Sequence, residues 1–136
     1  MERMLPIFYS MSKEMRNIHK DSCTDVSVVQ SAIMQEISIQ SNPSMQRVAV
    51  AVGMDITTFS RQIGTLEKKN YVMKTPFQED RRINLLALTD EGVKLIALIN
   101  TSIAEKLAKV LHVMNEFERE TVIRSLYTFN EKLSNK

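Results

Sequence analysis

Two adjacent arginines, Arg81 and Arg82, follow two adjacent acids, Glu79 and Asp80, within the stretch QEDRRINLLALTDEG (residues 78–92). A guanidinium held by a carboxylate through charge-assisted hydrogen bonds is a cation with a fixed direction. Placed at an exposed tip, it suits a narrow minor groove, where A/T-rich sequence concentrates negative potential. Just upstream, Thr57, Thr58, Ser60, Arg61, Gln62, Thr65, Lys68 and Lys69 fall opposite a helically spaced apolar stripe of Ile56, Phe59, Ile63 and Leu66. Arginine can grip a guanine edge with two bonds, glutamine can read adenine, and hydroxyls suit phosphate. Any solvated helix face is polar, so this surface acquires meaning through the arginines that follow it.

A third group is chemically different. His19 and Cys23 lie one helical turn apart, the spacing of a nucleophile and a base, and Cys23 is also a candidate redox thiol. A reactive thiolate needs positive surroundings. Lys20 supplies some, but Asp21 and Asp25 oppose it. His19, Cys23 and His112 are zinc-ligand types without the paired-cysteine spacing of a structural site, so no metal is assigned. With no glycine-rich phosphate loop and no third residue to orient a dyad, the chain reads as a non-enzyme without cofactor.

The elements that must position these residues can be read from periodicity and caps. Leu5, Phe8, Met11, Met15 and Ile18 mark a first helix over about residues 3–20. Thr24 is the expected cap of a second helix running to about Ile39. Ser44 opens a short third helix that stops at Gly53, and Asp55 opens a fourth over about residues 56–69, stopped by Asn70. YVMKT and INLLALT read as two strands joined through Pro76 and a polar tip at residues 77–82. Thr89 caps a long helix to about Leu111, and a last one spans about residues 116–133. A short helix, a glycine turn and an amphipathic helix followed by a charged hairpin make a winged helix-turn-helix, mainly α with a small β-hairpin.

The bulk numbers agree with one domain. The chain has 136 residues and a formal net charge of only +2. Between Pro43 and Thr89 it is basic by three, and the two flanks together are acidic by one, which points to a polyanion partner. A single cysteine excludes an internal disulfide, and no apolar run approaches a membrane span, so a cytoplasmic location is expected. The first and last helices carry apolar stripes that a small winged lobe cannot cover, an expectation of self-association. Methionines fill irregular gaps well, and Phe8, Met11, Met15, Ile33 and Met34 are candidates for an adaptable ligand cavity.

The segment SMQRVAVAVGMDITTFSRQIGTLEKKNYVMKTPFQEDRRINLLALTDEG resembles the core of the MarR family of winged-helix transcription regulators. The resemblance rests on Ser60–Arg61, LEKKN with Asn where the family usually has Gly, DRR and LTDEG, and runs without a gap over about residues 26–96. It implies a DNA-binding winged lobe at 26–89 and dimerisation helices at 1–22 and 90–136. It further implies a homodimeric repressor of double-stranded DNA, bound to a pseudo-palindrome and released by a small, often aromatic or anionic effector. Ser44, Thr57, Thr58, Ser60, Arg61, Gln62, Lys68 and Arg81 would then contact DNA, Arg82 would enter the minor groove, and Asp80 would orient it. Two other readings stand beside this one: a redox regulator acting through Cys23, and a winged-helix protein-interaction module that does not bind DNA.

Overall fold

The computed structural model describes residues 1–135. Six helices and two strands follow in the order α1 (Met4–Ser22), α2 (Val28–Ile39), α3 (Met45–Ala51), α4 (Ile56–Lys68), β1 (Val72–Phe77), β2 (Asp80–Leu88), α5 (Asp90–His112) and α6 (Glu116–Ser134). The expected fold class, mainly helical with a two-stranded wing, is the one observed. The chain divides within α5 into two compact units, Met1–Ser102 and the segment from Ile103 onward.

Local chemistry sets each boundary. Ser27, not Thr24, caps α2, because Ser27 and Gln30 form a reciprocal capping box. Two bonds on one helix start outweigh the single hydroxyl that Thr24 offers. Ser44 caps α3 through Arg47 N, and Asp55 caps α4 through Thr58 N at 2.9 Å. Gly53 takes φ +70° after α3, and Met54 N donates back to Ala49 O at 2.9 Å, closing the helix end. Asn70 does the same for α4 at φ 63°, with Tyr71 N donating to Leu66 O at 3.0 Å.

The core of the first unit is built by α2, α3, α4, the hairpin and the start of α5. Ile33, Met34, Val48, Phe59, Ile63 and Leu66 are fully buried, and Leu86 and Ile99 almost so. Ile56 departs from the inward stripe expected of it: it is 44% exposed at the first position of α4. Phe59 is the first side chain of that stripe to reach the core.

The start of α5 approaches the hairpin closely. Thr89 Oγ1 donates to Asn70 O at 2.6 Å and accepts from Gly92 N at 3.0 Å. A Cβ added at Gly92 would stand 2.1 Å from Tyr71 O, so the residue must be glycine for this contact to form. Among the described residues no helix is long and apolar enough to cross a membrane. In the second unit, α6 begins with a capping box between Asn115 and Glu118 and buries no residue.

Candidate nucleic-acid interface

The polar face of α4 and the wing belong to the same compact unit. Thr57, Thr58, Ser60, Arg61, Thr65, Lys68 and Lys69 are exposed, opposite the buried Phe59, Ile63 and Leu66. Two of the polar side chains have local work. Thr58 Oγ1 donates to Asp55 Oδ2 at 2.8 Å, and Thr65 Oγ1 donates to Arg61 O at 3.2 Å. Gln62 is half-buried and its Oε1 accepts from Gln30 Nε2 at 3.0 Å, which ties it to α2 at the flank of the face. The bonds from Thr58, its backbone N–H first, hold the Asp55 carboxyl below its ordinary range, so the cap is anionic at neutral pH.

The wing differs from the expected polar loop at 77–82. Only Gln78 and Glu79 form the turn, and β2 already begins at Asp80. Pro76 pairs with Asn84, but the next residue, Phe77, pairs with Asp80. The jump leaves Arg81, Arg82 and Ile83 without opposite residues in β1, and all three are exposed. Such a bulge bends the strand and re-aims its side chains. Composition alone shows a charged tip here; the register decides that the arginines project from a strand.

Asp80 grips Arg82 with both carboxylate oxygens. Arg82 Nε donates to Oδ1 at 3.0 Å, a terminal guanidinium nitrogen to Oδ2 at 3.0 Å, and Arg82 N to Oδ1 at 3.1 Å. The Arg82 side chain nevertheless remains 91% exposed. The guanidinium bonds, with the backbone bond second, hold the Asp80 carboxyl below its usual value, and the same pairing raises Arg82. An exposed ion pair adds little stability. A bidentate pair does fix a direction, and here it directs a cation held outside the protein.

Ser44 joins the wing from the other side. It bridges Leu85, and Leu86 N donates to Pro43 O at 2.8 Å. Ser44, Gln46, Ile56, Ser60, Arg82 and Ile83 thereby line one open cleft of about 430 Å³ between α4 and the wing.

The remaining candidates lie elsewhere. Cys23 is half-buried at the end of α1, where its N–H donates to His19 O at 2.8 Å. His19 is buried, its Nε2 sits 2.6 Å from Ser31 Oγ, and burial lowers its pKa. This bond joins α1 to α2. Ile33 and Met34 are fully buried core residues, whereas Phe8, Met11 and Met15 are exposed on α1. Among the described residues no three His, Cys, Asp or Glu side chains group to hold a metal ion.

Sequence reasoning missed the corner where α4 meets the wing. Tyr71 Oη donates to Asp25 Oδ2, and Lys69 Nζ donates to Asp25 O, with its ammonium 3.5 Å from Oδ1. The Tyr71 bond, chiefly, holds the Asp25 carboxyl below its ordinary range, and the same bond pushes the Tyr71 phenol up to about 12. Asp25 lies 44 positions from Lys69 and 46 from Tyr71, and no local spacing signals their meeting.

A glycine-closed helical turn, an exposed polar helix and a cation-bearing hairpin beside it define a winged helix-turn-helix of the DNA-binding kind. Comparison with known proteins specifies the class. The MarR family model matches residues 26–83. The HTH-type transcriptional regulator SarZ of Staphylococcus aureus (strain MRSA252) is 26% identical over 130 residues, spanning 93% of this chain and 85% of SarZ. FabT of Streptococcus pneumoniae, solved in complex with DNA, superposes with a TM-score of 0.86 at 18% identity, over 98% of this chain and 97% of FabT. PcaV of Streptomyces coelicolor, solved with its natural ligand, gives 0.75 at 17% identity, over 92% of this chain and 89% of PcaV. The winged lobe, over residues 26–83, matches the MarR family, and the chain as a whole is similar to winged-helix transcription regulators.

Proposed function

We propose that the protein is a homodimeric repressor that binds a pseudo-palindromic DNA site and is released by a small aromatic or anionic effector. The observation that carries this reading is the Asp80–Arg82 clamp, which holds an exposed guanidinium beside the polar face of α4. Arg61, with Thr57 and Thr58, meets base edges in the major groove. Ser44, Ser60, Lys68 and Arg81 contact phosphates, Gln62 supports the flank, and Arg82 enters the neighbouring minor groove. A second copy covers the apolar faces of α1 and α6, placing two recognition helices about one DNA turn apart. The effector cavity draws on Phe8, Met11 and Met15, with Ile33 and Met34 as the packing behind it. The DNA complex of FabT and the ligand complex of PcaV support DNA and small-molecule binding by analogy.

The test is selection of bound fragments from genomic DNA, followed by affinity measurements on the selected duplex across a salt series. Arg82→Ala is expected to weaken binding at least tenfold and to reduce the salt slope by about one contact per subunit. Asp80→Asn, which keeps the cation and loosens its direction, is expected to lose less. Unchanged affinity and slope in Arg82→Ala would remove the wing from the interface.

A further inference from the structure

Ile56 is misplaced for a core residue. Phe59, Ile63 and Leu66, its partners in the apolar stripe of α4, are fully buried, yet Ile56 is 44% exposed. It occupies the first position of the helix, directly after the Asp55 cap. Ser60 lies four residues on, so the two side chains form one ridge. That ridge looks into the cleft shared with Ser44, Gln46, Arg82 and Ile83. An apolar side chain there gains nothing from water, and its neighbours, Met45 and Ile83 among them, do not cover it.

The occupant follows from the proposed docking, on which this inference rests. The N-terminal residues of a recognition helix approach base edges in the major groove. Ser44, Ser60 and Arg82 frame the apolar patch of Ile56, Met45 and Ile83 with hydroxyls and a cation, groups that suit a phosphate backbone beside it. Thymine alone among the four bases presents a methyl group in that groove, and apolar side chains recognise it by contact. Cytosine at the same position offers a hydrogen and an amino donor, and an isoleucine leaves that donor unpaired.

We infer that Ile56 is a specificity-determining residue that reads the 5-methyl group of one thymine in each half-site. It adds a shape-selective contact beside the hydrogen-bonding groups of α4. Ser60 and Arg82 on either side confine the strand that carries the base.

Deoxyuridine isolates the methyl group without altering base pairing. Each thymine of the selected duplex is replaced in turn by deoxyuridine, and affinity is measured for the wild type, Ile56→Ala and Ile56→Val. At one thymine per half-site the replacement is expected to weaken wild-type binding about fourfold, the worth of roughly one buried methyl group. Ile56→Ala is expected to bind the thymine and deoxyuridine duplexes equally at that position, and Ile56→Val to retain most of the discrimination. Alanine at an exposed helix start keeps the fold, which circular dichroism checks. Equal weakening of both duplexes by Ile56→Ala, or no position at which methyl loss and Ile56 couple, would overturn the inference while leaving DNA binding intact. A chain that binds no duplex at low salt would overturn the DNA-binding reading itself, and the inference with it.

Discussion

Phe59 and Phe117 are the same residue type on helices of one chain, yet Phe59 is fully buried and Phe117 is 80% exposed. The contrast extends to their helices. α4 buries Phe59, Ile63 and Leu66 within its own unit, whereas α6 buries nothing while carrying Leu126, Tyr127, Phe129 and Leu133 on its surface. A helix gains most of its stability from a buried apolar face, and a short isolated helix is marginal in water. The winged lobe therefore holds its reading face on a finished core. The C-terminal helix displays apolar surface of the kind that marks an association site. A finished core and an uncovered apolar face are different outcomes of the same helical periodicity, and α4 and α6 show one each.

The sharpest way to break this contrast is to truncate both phenylalanines. Phe59→Ala is expected to cost about 3–5 kcal/mol in denaturant unfolding, by cavity and lost transfer. Phe117→Ala is expected to change stability by less than about 0.5 kcal/mol when the chain is dilute. Equal effects would mean that α6 is covered within the single chain. Next in size is Gly92→Ala. Its Cβ would press on the Tyr71 carbonyl, backbone against backbone, so α5 must shift. A loss of about 1–3 kcal/mol is expected in thermal unfolding, with a weakened wing position as its companion. A melting temperature unchanged from the wild type would show that the corner yields without strain.

Leu126→Asp addresses the other unit. Sedimentation is expected to show self-association weakened at least tenfold, roughly the effect of losing one apolar anchor, while the winged lobe stays folded. Association at wild-type strength would move the interface elsewhere. The smallest effect concerns the corner at Tyr71. Its phenol is raised from 10.0 to about 12, so the stability it contributes is fully present below pH 10 and is lost as pH rises through about 12. Asp25, lowered from 3.8 by the same bond, contributes stability above that value and loses it as pH falls further. Tyr71→Phe is expected to remove the alkaline slope from a series of unfolding curves. A slope identical to the wild type would dissociate the phenol from the fold.

Much of this organisation was legible in advance where the cause is local. Asp55, Gly53 and Asn70 mark helix ends because capping and left-handed backbone depend on a few neighbouring atoms. The inward stripe of α4 was correct at Phe59, Ile63 and Leu66 and failed at Ile56. Periodicity assigns a side to a residue but not whether the core extends far enough to meet it. The cap of α2 is ambiguous in sequence because Thr24 and Ser27 both satisfy the cap preference, and only the reciprocal bond with Gln30 separates them. Sequence alone shows the wing as a charged loop, because the hairpin register depends on how two strands pair around Pro76.

By itself, the order of residues determined the succession of helices and strands, the polar side of α4 and the adjacency of Asp80 to Arg82. These follow from backbone propensity and from contacts a few residues long. Only the tertiary structure decided that Arg81, Arg82 and Ile83 leave the strand ladder, that Ile56 faces a cleft, and that Asp25 meets Tyr71 across 46 positions. Such outcomes depend on which surfaces pack together, and packing is settled by the whole set of side chains competing for one interior.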